Sequence, residues 1–129
     1  MWLILFLWLI IMLVIALRFQ KYYERDTVKR VIDGDTIQLS SGKIIRLICI
    51  DAPEINKEKG KEARDFLEKL VLNKRVRLEK DSSEKDKYGR LLRYVYIESV
   101  FVNKELVKNN YASVFRYGDN VKRCDEIST

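Results

Sequence analysis

Three short stretches of the chain concentrate ionisable residues that secondary structure alone does not require. VIDGDTIQL carries Asp33 and Asp35 in a bend between apolar strand pieces. RLICIDAPE sets Arg46 before a run of four apolar residues and puts Asp51 and Glu54 after it, around the single proline, Pro53. DKYGR ends on Arg90, behind Lys87, Tyr88 and Gly89. Taken singly, each acid has a structural reading. Asp-Gly is ordinary turn chemistry, and Asp51 can end a strand ahead of a proline that fixes the backbone and removes a donor. Arg46 is harder to place. In an extended strand over 44–50 it shares a face with Ile44, Ile48 and Ile50. A guanidinium among isoleucines needs an anionic partner, because desolvating it alone is costly. An Arg–carboxylate bridge would meet that need, and so would a bound phosphate. Two arginines and three carboxylates converging at one place would suit phosphate chemistry. Carboxylates hold a hard cation, and planar guanidinium forks clamp phosphoryl oxygens.

Composition narrows the choice. The chain has no histidine, which excludes histidine acid–base catalysis, Ser-His triads and His-ligated metals. Any enzyme here works with carboxylates, arginines, tyrosines or an oxygen-ligated metal. Lys and Arg number 25 against 19 Asp and Glu, a net charge of +6 that favours an anionic partner such as nucleic acid or an acidic lipid surface. A Lys/Glu-rich surface of the kind thermophile proteins carry would give the same balance. The two cysteines, Cys49 and Cys124, lie far apart in sequence. Cys49 in its apolar strand reads as a small buried hydrophobe, and a disulfide scaffold is not expected.

These residues need a scaffold. Residues 1–17 contain no charged side chain, and such a run reaches the lower limit of a membrane span, about 17 to 25 residues. No basic residue precedes it and no A-x-A-like cleavage site follows, so an uncleaved anchor is expected, with a signal peptide as the alternative. Arg18, Lys21 and Arg25 after the run would keep the remainder in the cytoplasm by the positive-inside rule. Residues 18–26 read as a polar linker, and 27–129 as the folded domain. Alternating and β-branched patterns predict strands over 27–32, 37–39, 44–50, 75–80 and 90–97. Between the third and fourth, Ala63, Phe66, Leu67, Leu70 and Val71 mark one apolar stripe of a helix over 58–73. Asn103 is expected to cap a short helix bearing Leu106 and Val107 on its inner side. Five short strands with a helix between strands 3 and 4 predict a mainly β, α+β protein built on an OB-fold barrel. OB barrels commonly bind nucleic acid, but fold alone does not assign function.

VIDGDTIQL, RLICIDAPE and DKYGR, in that order around that helix, resemble the thermonuclease (staphylococcal-nuclease-like) domain family over residues 27–117. The resemblance implies a phosphodiesterase acting on single- or double-stranded DNA and on RNA, as a monomer, with one Ca2+ ion. It implies that Asp35, Asp51 and the main-chain carbonyl of Ala52 ligate the metal and that Arg46, Glu54 and Arg90 are catalytic. Asp33 would hold the turn behind the ligands. Lys87 and Tyr88 would lie beside phosphate and sugar, and Tyr117, with Phe115 near it, would stack on bases. The family's domain usually continues into a longer third helix, whereas residues 119–129 can form only a stub. Two rivals stand beside a membrane-anchored nuclease: a non-catalytic OB-fold module that binds nucleic acid, and an anchored interaction domain with no nucleic-acid role. A binding-only copy would be free to lose Asp35, Glu54 or Arg90, and all three are present.

Overall fold

Alternating burial along the strands sets the architecture. The computed structural model describes residues 1–21 and 23–129, the side chains of Gln20 and Lys21 excepted. An apolar helix α1 (Trp2–Lys21) precedes the domain, and its Trp2–Phe19 stretch is exposed along its length and has a mean hydropathy of 2.7. The strand β1 (Glu24–Asp33) begins soon after it. The stretch expected as a linker is therefore divided between α1 and β1, with Tyr22 outside the described residues.

β1 pairs antiparallel with β2 (Thr36–Leu39), and β2 with β3 (Ile44–Leu47). On its other edge β1 pairs with β5 (Arg75–Glu79), which pairs with β6 (Leu91–Ile97). A parallel register of β3 on β6, with Leu47 opposite Arg93, closes these five strands into the predicted barrel. Val28, Ile37, Leu39, Ile45, Leu47, Val76 and Leu78 fill the core. The helix α2 (Glu58–Val71) covers it with Ala63, Leu67 and Val71, as the stripe predicts, and Phe66 and Leu70 flank them half-buried. Full burial of a side chain such as Leu67 or Val71 is worth about 1.5–3 kcal/mol.

Three predicted features differ. The apolar stretch 44–50 is not one strand. β3 ends at Leu47, Ile48 and Cys49 form a turn, and β4 (Ile50–Asp51) leaves in a new direction to pair with β8 (Ser113–Val114). Cys49 takes a left-handed φ of 65°, which breaks the alternation, so Arg46 shares its half-exposed face with Ile44 and not with the buried Ile48 and Ile50. Asn103 does not cap a helix. After β7 (Val100–Phe101), the helix α3 (Val102–Lys108) encloses Asn103 in its first turn. Its amide is wholly buried, accepting from the Val95 N–H at 2.9 Å and donating to the Ile48 carbonyl at 2.8 Å. Finally, Cys49 is buried as expected but is also bonded to Cys124 at the start of the short helix α4 (Cys124–Ser128). Sequence distance hid this pairing, because only barrel closure brings the two ends together.

Candidate active site

The site is built around the bend between β1 and β2. Asp33 accepts the Asp35 N–H at 3.0 Å and so fixes the turn. Burial, reinforced by Asp35 alongside, pushes the Asp33 carboxyl up to about 6. Asp35 is buried, 6% exposed as a residue. One carboxylate oxygen accepts the Thr36 hydroxyl at 2.9 Å and the other the Ala52 N–H at 2.8 Å. Gly34 makes this possible. A Cβ there would lie 2.6 Å from the Ala63 Cβ and 2.7 Å from the Ala52 Cβ, so the bend sits directly on α2 and on the segment after β4.

Arg46 projects from β3 between two acids. Its Nη2 lies 3.4 Å from Asp35 Oδ2 and 3.5 Å from Asp51 Oδ1, and its Nη1 donates to the Leu47 carbonyl at 2.6 Å. The partner that Arg46 needs is thus supplied by carboxylates within the fold. Asp51 is itself exposed at the end of β4. Glu54 is also exposed, and no contact ties its carboxylate to either arginine among the described residues. Its backbone is set more firmly. The Glu54 carbonyl accepts the Lys57 N–H at 2.9 Å, and a Cβ on Gly60 would stand 1.8 Å from that oxygen. Gly60 lets the first turn of α2 close over Glu54.

Across a cleft of about 230 Å³ lies the loop before β6. Asp86 organises it. One carboxylate oxygen accepts the N–H groups of Tyr88 at 2.9 Å and Arg90 at 3.0 Å, and the other accepts Arg90 Nε at 2.6 Å. Lys87 and Arg90 both lie over the Tyr88 ring, at 5.2 and 5.4 Å from its centroid. Arg46, Lys87 and Arg90 all line the cleft, with Asp86 its one acid, so its interior favours an anion. Phe115 and Tyr117 form its aromatic side, their rings 9° from parallel and 6.1 Å apart. Asn120, 5% exposed, ties this side to the loop by donating to the Ser83 carbonyl at 2.9 Å and accepting its N–H at 2.7 Å.

Asp35, Arg46 and Asp51 therefore meet, and Arg46 joins them to the cleft that holds Lys87, Tyr88, Arg90 and Tyr117. Asp35, Asp51 and Glu54 do not themselves line that cleft. Sequence reasoning missed Asp86 and Asn120, gave Asn103 only a helix-capping role, and missed the packing role of Gly34 and Gly60. Asp86 had a signal, since D-x-x-G is an Asx-type turn pattern; the others had none.

The donor set fits a hard cation. Two carboxylates lie within 3.5 Å of one guanidinium nitrogen and supply only oxygen. Among the described residues no group of three or more acid or cysteine side chains is placed to hold a metal ion.

Comparison with known proteins gives a consistent picture. A family model described as Staphylococcal nuclease homologue matches residues 44–129. The chain is 42% identical over 109 residues to the thermonuclease of Staphylococcus hyicus, covering 78% of this chain and 64% of that protein. It is 43% identical over 108 residues to the thermonuclease of Staphylococcus intermedius, covering 77% and 64%. It is 36% identical over 119 residues to endonuclease YncB of Bacillus subtilis (strain 168), covering 84% and 56%. The chain thus spans less than two thirds of the length of these relatives.

Proposed function

Because the chain belongs to the staphylococcal nuclease family, we propose that it is a membrane-anchored, Ca2+-dependent nuclease hydrolysing phosphodiester bonds of DNA and RNA with little sequence preference. One observation carries the reading: Arg46 is shared by Asp35 and Asp51 at the edge of a cleft that Arg90 also lines. Asp35, Asp51 and the Ala52 carbonyl would hold the ion. When bound, it supplies Lewis-acid polarisation of a phosphoryl oxygen.

The chain's own residues do the rest. Arg46 and Arg90 grip the phosphoryl oxygens and stabilise the charge that grows on them, where preorganised donors are worth most. Glu54, exposed beyond Pro53, orients the attacking water. Asp33 keeps Asp35 in place through the turn hydrogen bond. Lys87 and Tyr88 meet phosphate and sugar, and Tyr117 offers its face to a base. Contacts to the backbone carry no base information, which accounts for weak sequence preference. The Trp2–Phe19 helix has the length and hydropathy of a single span and supports anchoring.

The test uses the full chain in detergent micelles with single-stranded DNA, in Ca2+ or in chelator, beside Glu54→Gln and Arg90→Ala. Cleavage should need Ca2+, and Arg90→Ala should lower it by about 10²–10³-fold. Cleavage that ignores the chelator or both substitutions would sink the site. Binding without any cleavage would replace it with a non-catalytic nucleic-acid-binding module.

A further inference from the structure

Cys49 and Cys124 stand 75 residues apart in sequence, yet they are bonded with their Cα atoms 5.2 Å apart. Cys49 is the pivot of the turn that swings β4 away from the barrel, and its left-handed φ is one that residues with a side chain seldom adopt. Two residues later comes Asp51, and then Ala52, whose N–H reaches Asp35. Beside the bond, the arm is held by the buried side chains of Ile48 and Ile50, by the Asp51–Arg46 ion pair, and by hydrogen bonds. Ile48 donates to the Arg93 carbonyl at 3.1 Å, Asn103 donates to the Ile48 carbonyl at 2.8 Å, and Phe115 donates to the Cys49 carbonyl at 2.8 Å. β4 itself is two residues long and pairs only with the equally short β8, a ladder with little stability of its own. The disulfide alone fastens the pivot covalently, to α4, whose Ile127 is sunk in the core.

We propose that the Cys49–Cys124 bond positions the arm carrying Asp51 and Ala52, so that the site is completed only where the domain meets a thiol-oxidising compartment. Bond formation replaces two S–H bonds by one S–S bond. The two protons and two electrons pass to the disulfide of an exchange partner of the thiol–disulfide oxidoreductase class, which becomes its dithiol. Cytosolic thiol pools keep such pairs reduced, whereas exported domains retain them. The domain therefore works beyond the cytoplasm, whether residues 1–17 stay as an anchor or are removed. This reverses the orientation that Arg18, Lys21 and Arg25 suggest. The positioning role rests on Asp51 and Ala52 being metal ligands, as proposed above.

Two experiments test it. In cells making the full chain, thiols are trapped by acid precipitation and then treated with a maleimide in denaturant; neither cysteine should be labelled until reductant is added, and protease added outside spheroplasts should cleave the domain. Labelling of both thiols before reduction, or a bonded domain sheltered from the protease, would overturn the compartment. In the purified full chain, reduction is compared with Val76→Ala, which loosens the barrel core at β5 while leaving the bond and its anchor. Reduction should weaken calcium affinity, read by calorimetry, by about 10–100-fold, the usual cost of losing a support behind metal ligands. It should also speed amide exchange at 48–52. Val76→Ala should lower the melting temperature and leave both readouts near wild type. Matching patterns from the two treatments, or global unfolding on reduction, would make the bond a general staple and overturn positioning. If the oxidised chain binds no calcium while amide exchange still responds to reduction alone, the metal assignment fails and the restraint on the arm stands.

Discussion

The two sides of the cleft place an arginine by opposite means. On the barrel side, Arg46 projects from a strand between Asp35 and Asp51, acids contributed by separate elements. Their positions depend on contacts that sequence does not link, with the Ala52 N–H on Asp35 and Gly34 against Ala63. On the loop side, Arg90 is held by Asp86, four residues away, which also accepts two N–H groups of the same turn. One side is made by tertiary packing and the other by local turn chemistry. The barrel side should therefore fail as a whole when its packing is disturbed, and the loop side should fail one contact at a time.

The sharpest way to break this contrast is Gly60→Ala. A methyl 1.8 Å from the Glu54 carbonyl forces α2 and the segment after β4 apart. Overpacking against backbone should cost about 3 kcal/mol or more, read as a lower denaturant midpoint. A near-neutral result would show that this side is not tightly packed. Asp86→Ala should come next, because a hydrogen bond to a charged group is worth about 1.5–3 kcal/mol. Activity should fall with little change in melting temperature, and Asp86→Asn should retain more of it by keeping the turn acceptor. If Asp86→Ala unfolds the domain, the loop is not a local unit. Tyr117→Ala should then cost about 1–3 kcal/mol of substrate stacking, raising KM more than it lowers kcat.

The smallest effect is a pH effect at the join between loop and C-terminal segment. Burial alone would raise the Asp81 carboxyl, but hydrogen bonds from the Tyr94 hydroxyl at 2.6 Å and the N–H groups of Lys122 and Ser82 outweigh it and hold it below the ordinary 3.8. A depressed carboxyl contributes stability above its unfolded pKa and loses it as pH falls through the folded one. The wild-type melting temperature should thus fall more steeply below about pH 4 than that of Asp81→Asn. Parallel curves would mean that this carboxylate tethers nothing.

Much of the fold was legible in the sequence. Period-two and period-3.6 patterns marked the barrel strands and α2 because burial on one face imposes them directly. Arg46 was also visible as a charge that its apolar strand did not explain, whereas Asp35, Asp51 and Arg90 stood out only through the three motifs taken together. Ile48 and Cys49 were not legible as a turn. Both are apolar and buried, so pattern continued smoothly where the backbone did not. Asn103 looked like a cap because its preference for helix starts is local, while its hydrogen bonds to Ile48 and Val95 are not.

By itself, then, the sequence determined the barrel, its covering helix, an apolar N-terminal helix, and a set of acids and arginines suited to phosphate and a hard cation. Only the tertiary structure decided that Arg46 sits between Asp35 and Asp51, that Gly34 and Gly60 are required by close approach, and that Cys49 is joined to Cys124. The physical reason is range. Periodicity and turn preference act over a few residues and leave a trace in order along the chain. Close contact and covalent pairing depend on which distant segments the closed barrel brings together.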